Sequence, residues 1–440
     1  MTMKVYTSPP SPSPRECVDT IPLLKTELLL VDYTNPKITT PLWYADFEGS
    51  FIASESGTFT FGLVVCGTAN LFVNDELVVD NSTVQRQGDA FFGSSTVEET
   101  GTIPVTKGEK YNIRVEFASS PTSKLAGDDV FFGGGTLRVG GVMNIDPVVE
   151  INKAAEMARD AEQVIICAGL NADWETEGHD REGMDLPGMM DELITRVAEA
   201  APGRTVVVMQ SGTPVHMPWV EKVGGIVQAW YGGNETGNVI ADVLFGDVNP
   251  SGKLPLSWPR RVEDNPAYLN FRSEGGRVLY GEDVYVGYRY YEKVRREVLF
   301  PFGFGGSYTE FEIGGLEVDD QGERVAVRVT VGNRGGVKGQ EVVQVYVAPP
   351  AGRKGDKIVA RPKKELKGFG KVELDVGEKK VVEVVLEKKY SASYWDEFRE
   401  MWCAEGGQYE VIVGNSSVEA EGKVLRGAFE VKETFWWSGL

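Results

Sequence analysis

Val164-Ile-Ile-Cys167, Thr205-Val-Val-Val-Met209 and Ile226-Val-Gln-Ala-Trp230 are three short apolar runs, separated by longer segments of a different period. Each has the continuous hydrophobicity of a strand buried on both faces, as in a parallel sheet. Around them the apolar residues fall at helical spacing: Val148, Ile151, Ala155 and Ala158, then Met190, Ile194, Val197 and Ala201, then the stretch from Val239 to Leu244. Strand alternating with helix specifies an α/β layered domain, here residues 146–264. Its ligand site belongs outside the C-terminal ends of the strands. Those ends lead into loops at 169–185, 210–217 and 231–238.

On either side the period drops to two. Gly57-Thr-Phe-Thr-Phe-Gly-Leu-Val-Val65 and Lys110-Tyr-Asn-Ile-Arg-Val-Glu-Phe117 alternate in polarity, and Asn74-Asp75 separates Leu71-Phe-Val73 from Leu77-Val-Val79 as a hairpin turn would. Residues 21–145 are therefore expected to form a β-sandwich. Beyond the α/β domain, Val325, Val327, Val329 and Val331 alternate, and Val343-Gln-Val-Tyr-Val347, Val381 to Leu386 and Tyr409-Glu-Val-Ile-Val413 follow. That pattern predicts a second, immunoglobulin-like sandwich over 305–440. The aromatic-rich segment 265–304 is expected to wrap between domains. Residues 1–20, rich in serine and proline, are expected to be a disordered leader. They carry no signal peptide or membrane span, which points to a cytoplasmic protein.

The chain has 440 residues, 42% hydrophobic and 25% charged, enough for several separate cores. Its 65 acidic and 45 basic residues give a net charge of -20. That excess excludes nucleic acid and anionic membranes as expected partners. Residues 301–440 hold 20 basic and 23 acidic groups, a net of -3, so the remaining -17 lies in the first two thirds. The four cysteines, Cys17, Cys66, Cys167 and Cys403, form no paired motif, and no disulfide framework is expected. Cys167 ends an apolar run and is expected to be buried.

Histidine is limited to His179 and His216, so a metal site or a Ser-His-Asp triad is hard to build. His216, before Met217-Pro218, reads as structural; His179 reads as surface filler or a ligand contact. No phosphate loop or dinucleotide fingerprint is present, and no cofactor is expected. The remaining candidates are carboxylates in the strand-end loops: D-W-E-T-E-G-H-D-R at 173–181 and W-Y-G-G-N-E-T-G-N at 230–238. By spacing alone Glu235 is an ordinary acidic residue at a helix start. Trp174 and Trp230 alone read as packing residues.

Longer motifs change that reading. Q-S-G-T-P-V from Gln210, W-Y-G-G-N-E-T-G-N-V-I-A-D-V-L-F-G-D-V-N-P-S-G-K-L-P-L-S-W-P from Trp230, Y-V-G-Y-R-Y-Y-E from Tyr285, P-F-G-F-G-G-S-Y-T from Pro301, E-L-K-G-F from Glu365 and G-Q-Y-E-V-I-V-G-N-S-S from Gly407 resemble the C-terminal half of family 3 glycoside hydrolases, the β-glucosidases among them. F-V-N-D-E-L-V-V-D from Phe72 resembles the protective-antigen-like domain inserted in some of these enzymes, and the last sandwich their fibronectin type III-like domain. The resemblance covers nearly the whole chain after residue 20. It implies that Glu235 is the catalytic acid/base. It also implies that Phe91 and Phe92 lie near the leaving-group subsite and that the loop with Trp174, Asp180 and Arg181 borders the site. Asp180 and Arg181 either orient that site or form an internal ion pair.

The sequence also departs from the family. It has no Ser-Asp-Trp, the usual setting of the nucleophilic aspartate, and no length for the (β/α)8 barrel that carries it. The first strand and helix that the family places before the inserted sandwich are missing too, so the parallel sheet is expected to have an open edge. A retaining glycosidase needs two carboxyl groups about 5–5.5 Å apart. Without the nucleophile's charge and the burial a barrel supplies, Glu235 is expected to be ionised at neutral pH, and the isolated chain to hydrolyse β-glucosides little or not at all. A second polypeptide supplying a barrel is one expected partner, and self-association through the uncovered surface another. Two other functions fit the same residues: a non-catalytic carbohydrate-binding or scaffold protein, and a repurposed acid/base enzyme acting on a non-sugar substrate.

Overall fold

The computed structural model describes residues 1–125, 133–178, 180–351, 359–418 and 424–439. The chain divides into two compact units, residues 1–154 with 176–180, and residues 155–175 with 181–440. His179, read above as surface filler or a ligand contact, lies outside the described residues.

The first unit is a β-sandwich. One sheet has six strands in the order Cys17–Pro22, Thr2–Tyr6, Tyr44–Ile52, Lys110–Ala118, Thr68–Val73 and Glu76–Asn81; the other has four, Glu27–Leu29, Thr136–Met143, Gly57–Cys66 and Glu99–Val105. Phe47, Leu63, Val65, Leu71, Val115, Phe117 and Leu137 fill the space between, each at most 1% exposed. The hairpin at Asn74-Asp75 is present, with φ of 49° and 65°, the left-handed pair that matches strand twist in a two-residue turn.

The expected disordered leader is not found. Thr2–Tyr6 is an interior strand, paired with Cys17–Pro22 on one side and Tyr44–Ile52 on the other. Met3 and Val5 point into the core at 2% and 0% exposure. The serine and proline residues form only the connection between the two strands. Arg15 anchors that connection by an ion pair with Asp46, which is buried, and its guanidinium lies 3.8 Å from the Tyr6 ring centroid. Proline density signals a loop, but the short alternation Met3/Val5 before it is what places the chain in the sheet.

The second unit begins within the helix Pro147–Asp160. Three parallel strands follow in sequential order, Val164–Gly169, Thr205–Gln210 and Gly225–Gln228, with Ile166 opposite Val207 and Val207 opposite Ile226. The helices Met190–Ala200 and Thr236–Phe245 complete the α/β layer. Ile194, Val197 and Ala198 of the first helix pack toward Val207, Val208 and Met209, all nearly inaccessible. The Val164–Gly169 strand is less covered than its apolar run suggested. Ile166 and Ala168 are buried, but Ile165 is 45% exposed and Cys167 is exposed, not buried as expected. The strand is the sheet's edge, and among the described residues one of its two faces, that of Ile165 and Cys167, is left exposed.

From residue 254 the chain crosses to the last sandwich. The bridge between Trp258 and Phe300 and the bonds from Leu254 N to Phe304 O and from Gly303 N to Leu254 O hold the intervening segment closed. Its helix Tyr288–Val294 packs Tyr288 against Tyr346 and Phe302. The sandwich has a three-stranded sheet, Phe311–Asp320, Arg324–Asn333 and Lys379–Glu387, facing a four-stranded one, Glu365–Leu374, Gly339–Ala348, Gly407–Gly414 and Leu425–Val431. Val325, Val327, Val329 and Val331 fill the core as the alternation predicted, none more than 2% exposed.

Candidate active site

The three parallel strands deliver three loops to one end of the sheet, and close backbone approach fixes where they start. A Cβ at Gly169 would lie 2.1 Å from the Gln210 carbonyl oxygen, so only glycine lets the first strand end against the second. Leu170 N then bonds to Gln210 O at 2.8 Å.

In the first loop the Asn171 side chain accepts from Asp173 N at 2.9 Å, and Trp174 N and Glu175 N both return to Asn171 O. This local turn exposes Trp174 (43%) and turns Glu175 inward. Glu175 Oε2 accepts from Gly212 N at 2.7 Å and from the Tyr231 hydroxyl at 2.5 Å; Glu175 Oε1 accepts from the Thr213 hydroxyl and lies 3.9 Å from Arg181 Nε. Burial pushes the Glu175 carboxyl up. The bonds from Thr213, Tyr231 and Gly212, with the Arg181 charge, outweigh it and hold the group below the usual glutamate range. The Tyr231 phenol is pushed up to about 12 by burial and by its bond to the Glu175 carboxylate.

Arg181 has Glu175 as its ion-pair partner among the described residues. Its Nη2 donates to the Thr213 hydroxyl and to Pro214 O, both at 2.8 Å, and bolts the second loop down. From the third strand, Gln228 Nε2 donates to Ser211 O at 2.9 Å and secures the other end of that loop. His216 bonds through Nδ1 to Asp185 at 2.9 Å and through its backbone N to Met184 O, a structural arrangement.

The third loop carries Glu235. Trp230 adopts a left-handed conformation, φ 53°, with its ring 6.5 Å from that of the buried Trp258, whose Nε1 donates to Val215 O. Gly233, φ 70°, supplies the second reversal. A 3₁₀ turn over Gly233–Glu235 then passes directly into the helix Thr236–Phe245, with Glu235 at the N-cap. Its side chain does not cap the helix. It is exposed, and Asn238 Nδ2 donates to Glu235 Oε2 at 2.6 Å. The expected first-turn position is thus realised one residue early, with the carboxylate turned outward.

The structure brings Trp174, Arg181 and Glu235 to the same end of one sheet, on loops joined through Glu175. Phe91, Phe92 and Asp180 belong to the first unit. Phe91 and Phe92 form a tight turn with φ of 52° and 58°. Phe92 is 60% exposed, and Arg138 lies 5.5 Å from the Phe91 ring. Bulky residues in the left-handed region mark a turn held in a strained shape by its surroundings. Glu175 and Tyr231 were not singled out from sequence. Nothing in D-W-E-T-E distinguishes Glu175 from Glu177, because its partners come from two other loops.

Residues 61–288 match the family described as glycosyl hydrolase family 3 C-terminal domain, and residues 341–417 match the fibronectin type III-like domain. The "Probable beta-glucosidase I" of Aspergillus clavatus is 52% identical over 446 residues, which cover 99% of this chain and 52% of that protein. The protein of the same name from Aspergillus oryzae is 50% identical over 449 residues, covering 100% and 52%. Among solved structures, the β-glucosidase from Kluyveromyces marxianus in complex with glucose superimposes with a TM-score of 0.89 at 44% identity, over 100% of this chain and 51% of that one. DesR, a β-glucosidase from Streptomyces venezuelae in complex with D-glucose, gives 0.63 at 29% identity over 88% and 46%. The chain spans about half the length of the curated relatives it matches.

Proposed function

The chain belongs to glycosyl hydrolase family 3, and from that premise we propose that it forms the acid/base side of a retaining β-glucosidase site, with Glu235 as the proton donor and the nucleophilic carboxylate supplied from outside these 440 residues. One observation carries this reading. The carboxylate of the G-G-N-E motif stands exposed beyond the C-terminal ends of the parallel strands, on the last residue before a helix. It is oriented by Asn238 and uncommitted to capping. A group so placed can meet a glycosidic oxygen brought to it by a second surface.

In the proposed reaction Glu235 donates its proton to the leaving oxygen as the external carboxylate attacks the anomeric carbon. It then takes a proton from the water that hydrolyses the glycosyl ester. Trp174 offers an exposed aromatic face for the sugar or its leaving group. Arg181 serves the site by holding the 211–214 loop, since its guanidinium is turned toward Thr213 and Pro214. A neutral β-glucoside suits the net charge of -20. This reading needs a nucleophile-bearing barrel outside these 440 residues, on the same polypeptide or on a second one. Uncovered apolar side chains at Ile165 and on the Thr236–Phe245 helix, where Val239 is 55% and Phe245 78% exposed, offer it a surface. The four free cysteines fit a reducing, cytoplasmic setting. No helix among the described residues is long and apolar enough to cross a membrane.

The test is an aryl β-glucoside assay on the purified chain, alone and mixed with a polypeptide carrying the nucleophile domain. The chain alone should show little or no turnover. The mixture should hydrolyse, and Glu235→Gln should abolish its action on substrates with poor leaving groups. Full turnover by the chain alone, lost in Glu235→Gln, would place the nucleophile inside this chain and overturn the division proposed.

A further inference from the structure

We propose that Glu175 is a positioning residue for Glu235, its carboxylate tying the loop that carries Glu235 to the two neighbouring strand-end loops through the Tyr231 hydroxyl. This rests on the reading of Glu235 as the acid/base.

The argument begins with what holds the third loop. Between the end of its strand at Gln228 and the helix start at Thr236, the backbone contains a left-handed tryptophan and a left-handed glycine. The glycine adopts its conformation freely, but the tryptophan does not hold φ 53° without restraint. Ala229 N bonds to Met209 O at 2.8 Å, which secures the strand end. Beyond it, the Tyr231 hydroxyl reaches out of the loop to the Glu175 carboxylate. Tyr231 is itself 51% exposed, so burial of the ring does not hold it in place; the charged hydrogen bond at its tip does.

An ionised carboxylate offers about four acceptor positions on two oxygens. Glu175 uses three of them, for Gly212 N and the Tyr231 hydroxyl on Oε2 and the Thr213 hydroxyl on Oε1, with the Arg181 charge 3.9 Å from Oε1. These partners come from all three strand-end loops. With both oxygens bonded to groups of the neighbouring loops, Glu175 is placed to hold those loops together, which makes its role positional and not that of the missing second carboxylate. Gly212 supports the same reading. A Cβ there would stand 3.2 Å from the Tyr231 ring and 3.3 Å from Glu175 Oε2, tighter than ordinary contact, so the absence of a side chain lets carboxylate, amide and phenol converge. Burial and the bond to Glu175 raise the Tyr231 phenol, and the Thr213, Tyr231 and Gly212 bonds together with the Arg181 charge depress the Glu175 carboxyl, so the bond between the two contributes to both shifts.

The experiment is hydrogen exchange by mass spectrometry on the full chain, comparing wild type with Glu175→Gln, Glu175→Asp and Tyr231→Phe. Glu175→Gln and Tyr231→Phe should raise exchange at residues 230–238 about tenfold and leave residues 325–331 of the last sandwich unchanged. Glu175→Asp keeps the charge and should recover part of the protection. Ultraviolet titration should show the Tyr231 phenol falling from about 12 toward its ordinary value of 10 in Glu175→Gln. Unchanged exchange at 230–238 in Glu175→Gln overturns the proposal. So does a rise spread evenly over residues 181–440, which would make Glu175 a general stability residue. In the mixture with a nucleophile-bearing polypeptide, Glu175→Gln should lower kcat about tenfold with KM held, more for poor leaving groups than for 2,4-dinitrophenolate; equal loss on both also overturns it. The exchange and titration readouts need no hydrolysis. A failure of Glu235 as acid/base is therefore separable, since it would show as an active mixture in Glu235→Gln with the Glu175 anchor intact.

Discussion

The last sandwich and the parallel sheet are built from the same kind of strand, rich in valine and isoleucine, and they end in different states. In Arg324–Asn333 the inward residues Val325, Val327, Val329 and Val331 are sealed, and the facing sheet supplies Val343, Val345, Val411 and Val413 against them. In Val164–Gly169 the alternate residues Ile166 and Ala168 are sealed, but Ile165 and Cys167 on the opposite face meet solvent. The sandwich carries both of its layers within this chain. The parallel sheet needs helices on both faces and has apolar residues ready for a layer not described among these residues. The exposed apolar side chains of Thr236–Phe245, the helix that Glu235 introduces, belong to the same pattern. The unit that carries the proposed site is therefore the one with apolar strand and helix faces left exposed among the described residues.

The largest expected effects lie where closure is complete. Arg15→Ala leaves Asp46, 6% exposed, as a buried charge without its ion-pair partner, and should destabilise the first unit by about 3–5 kcal/mol. Calorimetric unfolding checks this. A loss below about 1 kcal/mol would mean that the 7–16 connection is only loosely docked. In the last sandwich, Leu374→Ala removes a side chain of 0% exposure and should cost about 2–5 kcal/mol. The matched change on the open face, Ile165→Ala, should cost less than about 1 kcal/mol, because 45% of that residue already meets water. Equal costs at the two positions would erase the contrast between closed and open sheets.

A smaller effect on stability, but a visible one on association, is expected from Ile165→Asp combined with Phe245→Asp. Both side chains are exposed, so folding should change by only about 1 kcal/mol or less. By light scattering the wild-type chain should associate as its concentration rises, and the double variant should remain a monomer. A wild-type chain that stays monodisperse at every concentration would show that the uncovered face is not adhesive by itself.

How much of this was legible in the sequence follows the same division. Alternation over 325–331 and 110–117 named the strands and their inward faces, because a period of two has one structural solution when a second layer is present. The runs at 164–167 and 205–209 named parallel strands, but an apolar run states what a strand can bury and not whether anything covers it; Cys167 was misplaced for that reason. The Met3/Val5 strand was hidden because five residues give too short a pattern to outweigh the proline-rich connection beside it. Glu235 was visible only through its long surrounding motif, since its own spacing is that of any helix-starting glutamate. Glu175 was invisible in kind: its role depends on Gly212, Thr213 and Tyr231 arriving from elsewhere, and no local pattern encodes that convergence.

The subtlest prediction concerns how that convergence responds to pH. Glu175 is held below its ordinary value in the folded state, so its contribution is complete above the unfolded glutamate value and is lost as pH falls through the depressed one. Tyr231 is raised from 10.0 to about 12, so its contribution is complete below 10 and is lost as pH rises through about 12. Protection of residues 230–238 from hydrogen exchange, corrected for the intrinsic pH dependence of exchange, should form a plateau with an acid edge below about pH 4.5 and an alkaline edge between about pH 10 and 12. The closed sandwich at 325–331, held by the packing of Val325, Val327, Val329 and Val331, should show no alkaline edge in that range short of global unfolding. Glu175→Gln removes the acid edge outright, because glutamine does not titrate, and moves the alkaline edge down toward 10. Both changes are expected to be small, since half of Tyr231 faces water and the bond is partly screened. An acid edge that persists in Glu175→Gln would assign the titration to another carboxylate and break the link between Glu175 and the loop of Glu235.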